Sequence, residues 1–478
     1  MKAYEKFIAR SEVEDIHQHT LDILENVGVK FENPVALEIF AGHGAKVSGD
    51  TVYLGEKMIH EALRTTPSQF TRYSGKGSYV VGGGSKITMP ADGSIYISDN
   101  GMIRKMTNQD IINQFKMGET SPVINSNDVN GFLETQHFSK DQKVYANIAM
   151  TLKYSHTAPI ALMSRTFELD KTESVRKATA KGLQIVKQFE GVEDQYVILY
   201  HLSTLSPLCY DHDAIERLLA HCDENQPLMI SACAMPILTA PASVASMLAM
   251  TNAEILAGLT LTQLIRPGLP IVYGNTSGAT NLKTISLSIG SPEAALVCYA
   301  TAALADFYSL PFRAGGGLSD AKDLDVQCGS ESMMMLYASL DANTDVIAHA
   351  IGIMGTFNVI SFEKYLIDEE LFAMCTRLLK GVDCSEDRFC MNEIREVGPR
   401  GTFLRGRTPR MYREEFFMPQ YFDKQDPNQW QNTGAKSIKQ VAQEHINQRL
   451  ASYVPPEITS EQNQLLLPYI PAEYKERI

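Results

Sequence analysis

The sequence lacks the cysteine patterns of a disulfide framework or a thiolate zinc site. Its eight cysteines include no CxxC pair and no adjacent pair, whereas structural zinc sites usually place two ligands roughly two to four residues apart. Cys384 and Cys390 lie close together, but no histidine occurs between Phe357 and Gln443 to complete a ligand set. We therefore expect free thiols and no metal bound to this chain.

Long apolar runs and an excess of basic residues are also missing. No stretch reaches the ~18 apolar residues that a membrane span requires, and the opening residues 1–6 lack the apolar core of a signal peptide. The net charge of −13 and the pI near 5.4 argue against nucleic acid or an anionic membrane as partner, because both attract basic surfaces. These features predict a cytoplasmic protein that binds neither.

The common catalytic signatures are absent as well. The chain contains no GxSxG, no HExxH, no P-loop and no GxGxxG after a predicted strand. Hydrolase, zinc-protease, kinase and Rossmann-type dehydrogenase functions are therefore disfavoured.

The sequence does contain a recurring unit between Ser94 and Lys380, in which a short apolar run is followed by an amphipathic stretch of helical length. Eight such units match the α/β class and specifically the TIM (β/α)8 barrel, which needs ~250 residues. The predicted strands are residues 95–97, 122–124, 159–163, 196–200, 227–230, 269–273, 310–312 and 346–348. One helix start is explicit, since Ser291-Pro292-Glu293 places Ser at the N-cap and Pro at the first helical position.

This repeat suggests three parts of the chain. Residues 1–85 form a lead-in of helices and a hairpin, residues 86–380 form the barrel, and residues 381–478 form a C-terminal arm in which the periodicity fades. We expect the arm to be a lid or a contact between subunits of a homo-oligomer. Its basic cluster between Arg400 and Arg413 is read as a solvated, ion-paired segment.

Polar and aromatic side chains follow several predicted strands, and in a TIM barrel all strand ends meet at one rim. A rim of this kind forms a pocket for a small molecule. Rings that face one space would attract a quaternary ammonium group, with ordinary packing as the alternative for each ring. The candidate ligand-binding residues at the rim are Tyr96, Asn127, Tyr273, Arg313, Gln327, His349 and Phe357. Asn127 could instead belong to an Asx turn, and His349 to the core.

Three segments resemble the trimethylamine methyltransferase superfamily. They are residues 12–29, the pair Asp99-Asn100 with residues 125–128, and residues 315–322 together with Asp325 and Gln327. The resemblance covers nearly the whole chain. It implies a TIM barrel that passes a methyl group to Co(I) of a separate corrinoid protein. Because only standard residues occur, the chain resembles the branch without pyrrolysine, whose members demethylate quaternary amines.

The resemblance therefore implies a methyltransferase with a small betaine as donor, glycine betaine being favoured as the smallest. Proline betaine, carnitine and γ-butyrobetaine remain alternatives, as does a barrel that binds a quaternary amine without turnover. No acid, base or nucleophile is required, since a quaternary nitrogen leaves as a neutral amine. The cofactor is a corrinoid (cobalamin) carried by the partner protein. Residues expected to face the corrinoid are Asn100, Asp128, Asp320 and Lys322.

Overall fold

The computed structural model describes residues 2–129, 131–404, 406 and 409–478. In these residues, sixteen α-helices surround and extend a parallel barrel. They are α1 (Arg10–Asp22), α2 (Pro34–Gly42), α3 (Glu56–Thr65), α4 (Asn108–Glu119), α5 (Lys140–Tyr154), α6 (Val175–Glu190), α7 (His212–Asp223), α8 (Val244–Ile265), α9 (Pro292–Tyr308), α10 (Val326–Asp341), α11 (Phe362–Leu379), α12 (Met391–Val397), α13 (Arg410–Glu415), α14 (Pro427–Asn432), α15 (Ile438–Ser452) and α16 (Ser460–Leu466).

The strands are short and fall into a central parallel sheet and several small sheets. They are β1 (Val29–Phe31), β2 (Lys46–Ser48), β3 (Thr51–Tyr53), β4 (Phe70–Arg72), β5 (Tyr79–Val81), β6 (Ile87–Thr88), β7 (Tyr96–Asp99), β8 (Met102–Lys105), β9 (Tyr200–Ser203), β10 (Cys209–Tyr210), β11 (Leu228–Ala232), β12 (Ile271–Asn275), β13 (Ala279–Asn281), β14 (Ser286–Ser288), β15 (Phe312–Gly315), β16 (Val346–Ala348), β17 (Ile353–Met354) and β18 (Val359–Ser361).

Six of these strands form a parallel sheet in the order β6-β16-β15-β12-β11-β9. Two irregular segments close it into a barrel between β6 and β9. The backbone N–H groups of Asn125 and Ser126 donate to Thr88 O, and the N–H of Leu199 donates to Ile160 O at 2.6 Å. The predicted TIM barrel is therefore confirmed, with eight chain segments around the lumen.

The first barrel strand differs from the prediction. Residues 87–88 pair with β16, whereas residues 96–99 form β7, in a separate four-stranded sheet with β8, β17 and β18. The reason lies in the burial pattern: Ile87 is fully buried, while Ile95 is almost half-exposed and Met102 and Ile103 face solvent. The run Ile95-Tyr96-Ile97 thus belongs to a hairpin at the barrel mouth, because it has only one buried face.

The bottom of the barrel, at the N-terminal ends of the strands, is filled by apolar side chains and plugged by the β4–β5 hairpin. Phe70 and Val81 of the hairpin join a cluster of lumen residues: Ile87, Met89, Ile160, Leu199, Met229, Val272 and Val346. Arg72 is fully buried there, and its guanidinium donates to the backbone carbonyls of Pro159 and Val197. The lumen is closed at this end, so a ligand can enter only from the C-terminal ends of the strands.

The lead-in packs on the barrel as part of the same hydrophobic core. Helices α1 and α3 contact α8, and β1 pairs in parallel with β10. Helix α8 is long and apolar enough to cross a membrane by length and composition, contrary to the expectation from the sequence, but its most apolar window is 83% buried among the other elements.

The arm begins where α11 ends, and α11 descends from the mouth towards the bottom of the barrel. Arg377 on α11 contacts the backbone of Gly381 and Glu415, and Glu370 accepts hydrogen bonds from the backbone of Gln420 and Tyr421. Residues 381–420 are therefore held at both ends against α11. Beyond them, α15 packs on α11 and α4.

Candidate active site

One layer of side chains lines the upper lumen, and strand register defines it. In neighbouring parallel strands, Ser203, Ser231, Gly274, Arg313 and Val346 are paired in turn. Val346 belongs to the lumen cluster, so its paired neighbours point inward as well. Gly274 leaves space where a side chain would collide with Ser231. The result is a single arginine above an apolar floor.

Arg313 is buried and under-paired. Its Nη1 lies 3.5 Å from Ser231 Oγ, and its Nε has no hydrogen-bond partner. Burial lowers the pKa of Arg313, while Asp92 and Cys233 oppose that shift. A guanidinium remains charged in proteins, so the lumen holds a cation that lacks a full set of acceptors. Such a group is suited to bind an anion.

A second buried polar atom without a partner lies close to Arg313. His201 points into the lumen from β9, since it pairs with Met229 and follows Leu199 by two residues. Its Nε2 is buried without a partner. Burial, followed by the charge of Arg313, lowers the pKa of His201 well below its usual range. His201 is therefore neutral and can donate one hydrogen bond.

The mouth above this layer carries an aspartate and a histidine. His349 Nδ1 lies 3.2 Å from Asp92 Oδ1 and 3.4 Å from the Asp92 backbone nitrogen. Burial and the nearby Arg313 lower the pKa of His349 to about 3, so the ring is neutral. Burial raises the pKa of Asp92 to about 6 against the opposing effect of Arg313, although the carboxylate stays open to the lumen. Near neutral pH, Asp92 is thus mainly a carboxylate whose charge is only partly compensated.

An aromatic ring stands beside this pair. The ring centroid of Phe357 lies 5.0 Å from that of His349. Thr356 and Phe357 have φ of 57° and 65° and His349 has φ of 51°, values that non-glycine residues seldom adopt. Strained conformations of this kind persist where surrounding contacts hold them and often mark functional sites.

Two braces hold the loop that carries Phe357. Thr356 Oγ1 donates to Asp320 Oδ1 at 2.9 Å, and Ser94 Oγ donates to the carbonyl of Phe357 at 2.7 Å. Asp320 also accepts from the backbone of Ile289 and Gly290. Asp320, which was expected to face the corrinoid, is instead a buried brace between loops.

A fully buried ion pair on α11 supports the loop of His349 from behind. Lys364 Nζ lies 2.6 Å from Asp368 Oδ2 and donates to Gly317 O at 2.9 Å. Asp368 Oδ2 also accepts from the Gly352 N–H at 2.7 Å. Gly317 N in turn donates to the carbonyl of His349. The glycine-rich segment after β15 thus serves as a close backbone contact that positions His349.

The side chain of Cys233 is accessible at the barrel mouth. It follows β11, and its side chain is exposed to the space at the mouth. Burial by the surrounding wall raises the pKa of its thiol, while a hydrogen bond with the Thr276 side chain and the charge of Arg313 oppose that shift. The thiol also donates to the Thr276 carbonyl at 3.7 Å. A thiol that shares this space with Arg313 can be used to detect a bound ligand.

Of the seven predicted ligand-binding residues, the structure brings three together: Arg313, His349 and Phe357. Tyr273 was predicted to face the ligand, but its side chain points away from the lumen. It precedes the lumen residue Gly274, so it points outward, where its hydroxyl donates to Asn252 Oδ1 at 2.9 Å and it is fully buried.

Asn127 and Asp128 are structural. Asn127 Nδ2 donates to Phe115 O and Glu119 Oε1, and the residue is fully buried. The carboxylate of Asp128 accepts hydrogen bonds from the backbone N–H groups of Ile160 and Ala161. It takes the place of the backbone hydrogen bonds that two paired strands would form there. Asp128 therefore does not face the corrinoid as expected. The Asx-turn alternative was the better reading of this segment.

The remaining candidates lie on the outer rim. Gln327 is exposed and donates to Glu331 Oε1, Asn100 occupies the turn of the β7–β8 hairpin, and Lys322 donates to the Asp320 carbonyl. Tyr96 lies half-buried in β7 beside Val359. Their contacts with a donor or a corrinoid stay predictions.

Sequence reasoning missed Asp92, His201 and Cys233 as a group. Asp92 was overlooked because the first strand was assigned to residues 95–97; once residues 87–88 are the strand, Asp92 falls just beyond its end. His201 and Cys233 were visible as strand-end residues, but nothing in the sequence indicates that they share the lumen with Arg313. Among the described residues, no group of three or more His, Cys, Asp or Glu could hold a metal ion.

Comparison with known proteins assigns the family. The family model for trimethylamine methyltransferase (MTTB) matches residues 2–477. The chain is 34% identical to the L-carnitine:corrinoid methyltransferase of Eubacterium limosum, with 98% of both chains covered. It is 32% identical to the proline betaine:corrinoid methyltransferase of the same organism, covering 99% of this chain and 98% of that one. It is 33% identical to the glycine betaine methyltransferase of Desulfitobacterium hafniense strain Y51, covering 98% and 97%.

Among solved structures, the monomethylamine methyltransferase (MtmB) of Methanosarcina barkeri aligns over 95% of both chains, with a TM-score of 0.47 and 10% identity. The resemblance seen in the sequence is thus confirmed by the relatives and the family model. The chain belongs to the trimethylamine methyltransferase (MTTB) family of methyl-transferring enzymes, in the branch that contains only standard amino acids.

Proposed function

We propose that this enzyme moves a methyl group from a small quaternary-amine zwitterion to Co(I) of a separate corrinoid protein. The observation that carries this proposal is the pairing of opposite charges along one lumen. Arg313 pairs with Val346 in the neighbouring strand. Val346 precedes His349 by three residues, so Arg313 lies deeper in the barrel than His349 at the mouth. A deep cation and a mouth that carries Asp92 and Phe357 match a molecule with a carboxylate at one end and an ammonium at the other.

This polarity orients the donor. The carboxylate binds Arg313 and, in the tautomer with the proton on Nε2, the N–H of His201, which gives partners to two buried nitrogens that lack them. The methylated nitrogen then sits between the Asp92 carboxylate and the Phe357 ring, where charge attraction and cation–π contact act together. Its methyl groups point out of the barrel, towards the C-terminal ends of the strands.

The chemistry needs no further group from the protein. Co(I) donates an electron pair to one methyl carbon, the C–N bond breaks, and its electron pair remains on nitrogen as a neutral tertiary amine. The product is methyl-Co(III). The contribution of this chain is to desolvate the cation and hold it in line with the cobalt.

For the donor itself we propose glycine betaine first, because it is the smallest zwitterion of its class. The names of the three relatives specify carnitine, proline betaine and glycine betaine at nearly equal identity, so similarity alone does not choose between them. Proline betaine, carnitine and γ-butyrobetaine are the alternatives in the same orientation, since each has a carboxylate to reach Arg313.

The corrinoid protein would dock on the barrel mouth. Exposed apolar side chains surround the opening, each in the segment between a different barrel strand and the helix that follows it or at the start of that helix: Met102, Leu205, Ile237, Leu282 and Val326. Apolar groups that are rimmed by polar residues mark protein contacts. Co(I) requires reducing conditions, in agreement with the cytoplasmic location expected from the sequence.

The decisive experiment mixes purified enzyme, a reduced corrinoid protein of the family and each betaine, and follows conversion of Co(I) to methyl-Co(III) by its absorbance. We expect donor-dependent conversion with one betaine much faster than with the others. Arg313→Met should abolish it. Leu208→Ala should not, because Leu208 lies outside the lumen, in a surface cleft beside α1 and α8. No conversion with any betaine, despite tight donor binding, would favour the alternative of a binding barrel without turnover.

Donor binding has an internal reporter that does not depend on the cobalt. A saturating donor should protect Cys233 from alkylation, as measured by mass spectrometry of its peptide. Cys384 is exposed on the arm and is the matched control, whose labelling should not change. Equal labelling of Cys233 with and without donor would contradict the proposed site.

A further inference from the structure

Gln114 is a fully buried polar residue on α4, which packs against α11. Its Nε2 donates to the backbone carbonyl of Ala91 at 2.5 Å, whereas its Oε1 has no partner. A buried amide is costly unless it forms hydrogen bonds, so this single bond decides where the side chain lies. The bond ends on the residue immediately before Asp92, and Gln114 therefore acts on the backbone of the candidate site.

The Ala91 carbonyl lies where the barrel ladder ends. The N–H of Ala91 still donates to the carbonyl of Ile351 at 3.0 Å. The N–H of Gly352, one residue further along, instead donates to Asp368 Oδ2. No backbone N–H of the described residues reaches the Ala91 carbonyl, so Gln114 takes the place of the next strand partner.

The peptide unit that joins Ala91 to Asp92 is held on both sides. Its carbonyl accepts from Gln114, and its N–H donates to His349 Nδ1 at 3.4 Å. In a planar trans peptide the C=O and N–H groups point in opposite directions, so a bond to one fixes the direction of the other. A backbone N–H can only donate, so Nδ1 must accept. The single proton of the neutral His349 ring is therefore on Nε2.

The position of this proton decides how much of the Asp92 charge is available. His349 Nδ1 also lies 3.2 Å from Asp92 Oδ1, but within the described chain only its contact with the backbone N–H has the geometry of a hydrogen bond. A proton on Nδ1 would allow the ring to donate to this oxygen and take up part of its charge. With the proton on Nε2, the Asp92 side chain, which is 43% exposed, keeps its charge for a ligand.

We propose that Gln114 is a positioning residue: it orients the Ala91–Asp92 peptide so that the N–H holds His349 in the tautomer protonated on Nε2. This tautomer leaves the Asp92 carboxylate available to the cationic group of the donor. The tautomer is a property of the protein without donor, whereas its benefit for donor binding rests on the proposed function. Gln114 itself does not touch the donor, because it is sealed behind the barrel wall.

The first test reads the tautomer directly by NMR of the full-length protein with ¹⁵N-labelled histidine rings, without donor or corrinoid, at about pH 8, where histidine is neutral. Protonated and unprotonated ring nitrogens have well-separated ¹⁵N frequencies, and His349→Gln identifies the signals of His349. We expect an unprotonated Nδ1 and a protonated Nε2 in the native protein. A native ring protonated on Nδ1 would overturn the proposal without any variant.

Gln114→Met tests whether the amide is the cause, since it keeps the length of the side chain and removes the donor. We expect the His349 ring to lose its fixed tautomer and gain protonation on Nδ1. Gln263→Met is the matched control, because Gln263 is also buried and its Nε2 also donates to a backbone carbonyl, that of Leu269, but on α8 outside the candidate site. It should keep the native tautomer.

The thermal midpoint of each variant verifies folding. Gln114→Asn retains a buried amide that is too short to reach Ala91, and it serves as the second variant if Gln114→Met does not fold. A side chain that only fills space or caps a carbonyl would leave the His349 tautomer unchanged. An unchanged tautomer in a folded Gln114 variant would therefore overturn the proposal.

The second test measures donor affinity by isothermal titration with glycine betaine, proline betaine and L-carnitine in turn. For the betaine that binds the native protein, Gln114→Met should raise the dissociation constant roughly two- to tenfold, the range of one ordinary hydrogen bond. Gln263→Met should leave it unchanged. A changed tautomer with an unchanged dissociation constant would overturn the role assigned to Asp92. A native protein with the expected tautomer that binds none of the three betaines would contradict the proposed function while supporting the role of Gln114 in the tautomer.

Discussion

Phe357 lies beside His349, which contacts Asp92, and we propose that the donor carries its positive charge next to this ring. Phe357→Leu keeps an apolar side chain but removes the π-face. We expect donor binding to weaken by ~0.5–2 kcal/mol, the range for a cation–π contact between exposed and desolvated sites. Isothermal titration with glycine betaine measures the change.

The control for this substitution is 3,3-dimethylbutanoate, in which carbon replaces the nitrogen of glycine betaine. A ring that acts on charge loses affinity for the cation far more than for this neutral isostere. Equal weakening of both ligands, in a variant of unchanged thermal midpoint, would mean that Phe357 only packs.

Asp92 makes donor binding depend on pH. With its pKa near 6, the carboxylate is charged above that pH and neutral below it, so the dissociation constant of a cationic donor should rise about tenfold per pH unit below 6. The other ionisable groups that face Asp92 keep their states in this window: the pKa values of His201 and His349 lie lower, those of Cys233 and Tyr365 are raised, and Arg313 stays charged.

Asp92→Asn should flatten this profile while retaining the shape of the side chain. The same titration affects the stability of the free protein in the opposite direction: deprotonation of Asp92 favours donor binding but lowers stability. Because the folded state holds the proton more tightly than the unfolded state, the free protein loses stability as pH rises from about 4 to about 6. If the donor affinity of Asp92→Asn still decreases as the pH is lowered below 6, the titration belongs to another group.

At the scale of elements, the buried pair on α11 can be separated from ordinary packing. Lys364→Met leaves Asp368 uncompensated in the core, so the free energy of unfolding should fall by about 3–5 kcal/mol. The double variant Lys364→Met/Asp368→Leu removes both charges and should recover part of the loss. Urea denaturation measures both. A single variant as stable as the native protein would show that the pair does not hold the loops of His349 and Gly317.

Elements were predictable from the sequence where local signals agreed with burial. Helix α9 starts as expected, with Ser291 Oγ accepting from the Ala294 N–H and Pro292 in first position. The direction in which each strand side chain points was harder to predict. Tyr273 and Gly274 are adjacent in a strand buried on both sides, so the sequence shows no alternation to indicate which of them lines the lumen.

The residues of the candidate site were also predictable only in part, because some of their contacts are local and others join distant parts of the chain. Strand-end position selected Arg313, His349 and Phe357, which the structure brings together at the mouth, and their roles stay predictions. It could not reject Asp128, because the backbone groups of Ile160 and Ala161 that it satisfies lie more than thirty residues away. Contacts of this range arise from the closed barrel and leave no mark in a single sequence.

At the scale of the whole molecule, the reaction should need no metal bound to this chain. The expectation rests on the scattered cysteines and isolated histidines of the sequence. Dialysis of the enzyme against a strong chelator before the assay should therefore leave the rate of Co(I) methylation unchanged. Loss of activity together with stoichiometric release of zinc, and its return on adding zinc, would sink the idea.

The donor must carry a permanent positive charge. An unprotonated tertiary amine would have to expel an amide anion, whereas a quaternary ammonium expels a neutral amine. Near neutral pH, none of the described lumen side chains offers a proton to a neutral nitrogen: Asp92 is mainly ionised, His201 and His349 are neutral, and Arg313 does not release its proton. We therefore expect glycine betaine or another betaine to methylate the corrinoid, and dimethylglycine and trimethylamine to be inert. Dimethylglycine keeps the carboxylate for Arg313, so it should still bind and act as a competitive inhibitor. Trimethylamine has no carboxylate and should do neither. Turnover of dimethylglycine at a rate similar to that of a betaine would require an acid that this site does not provide.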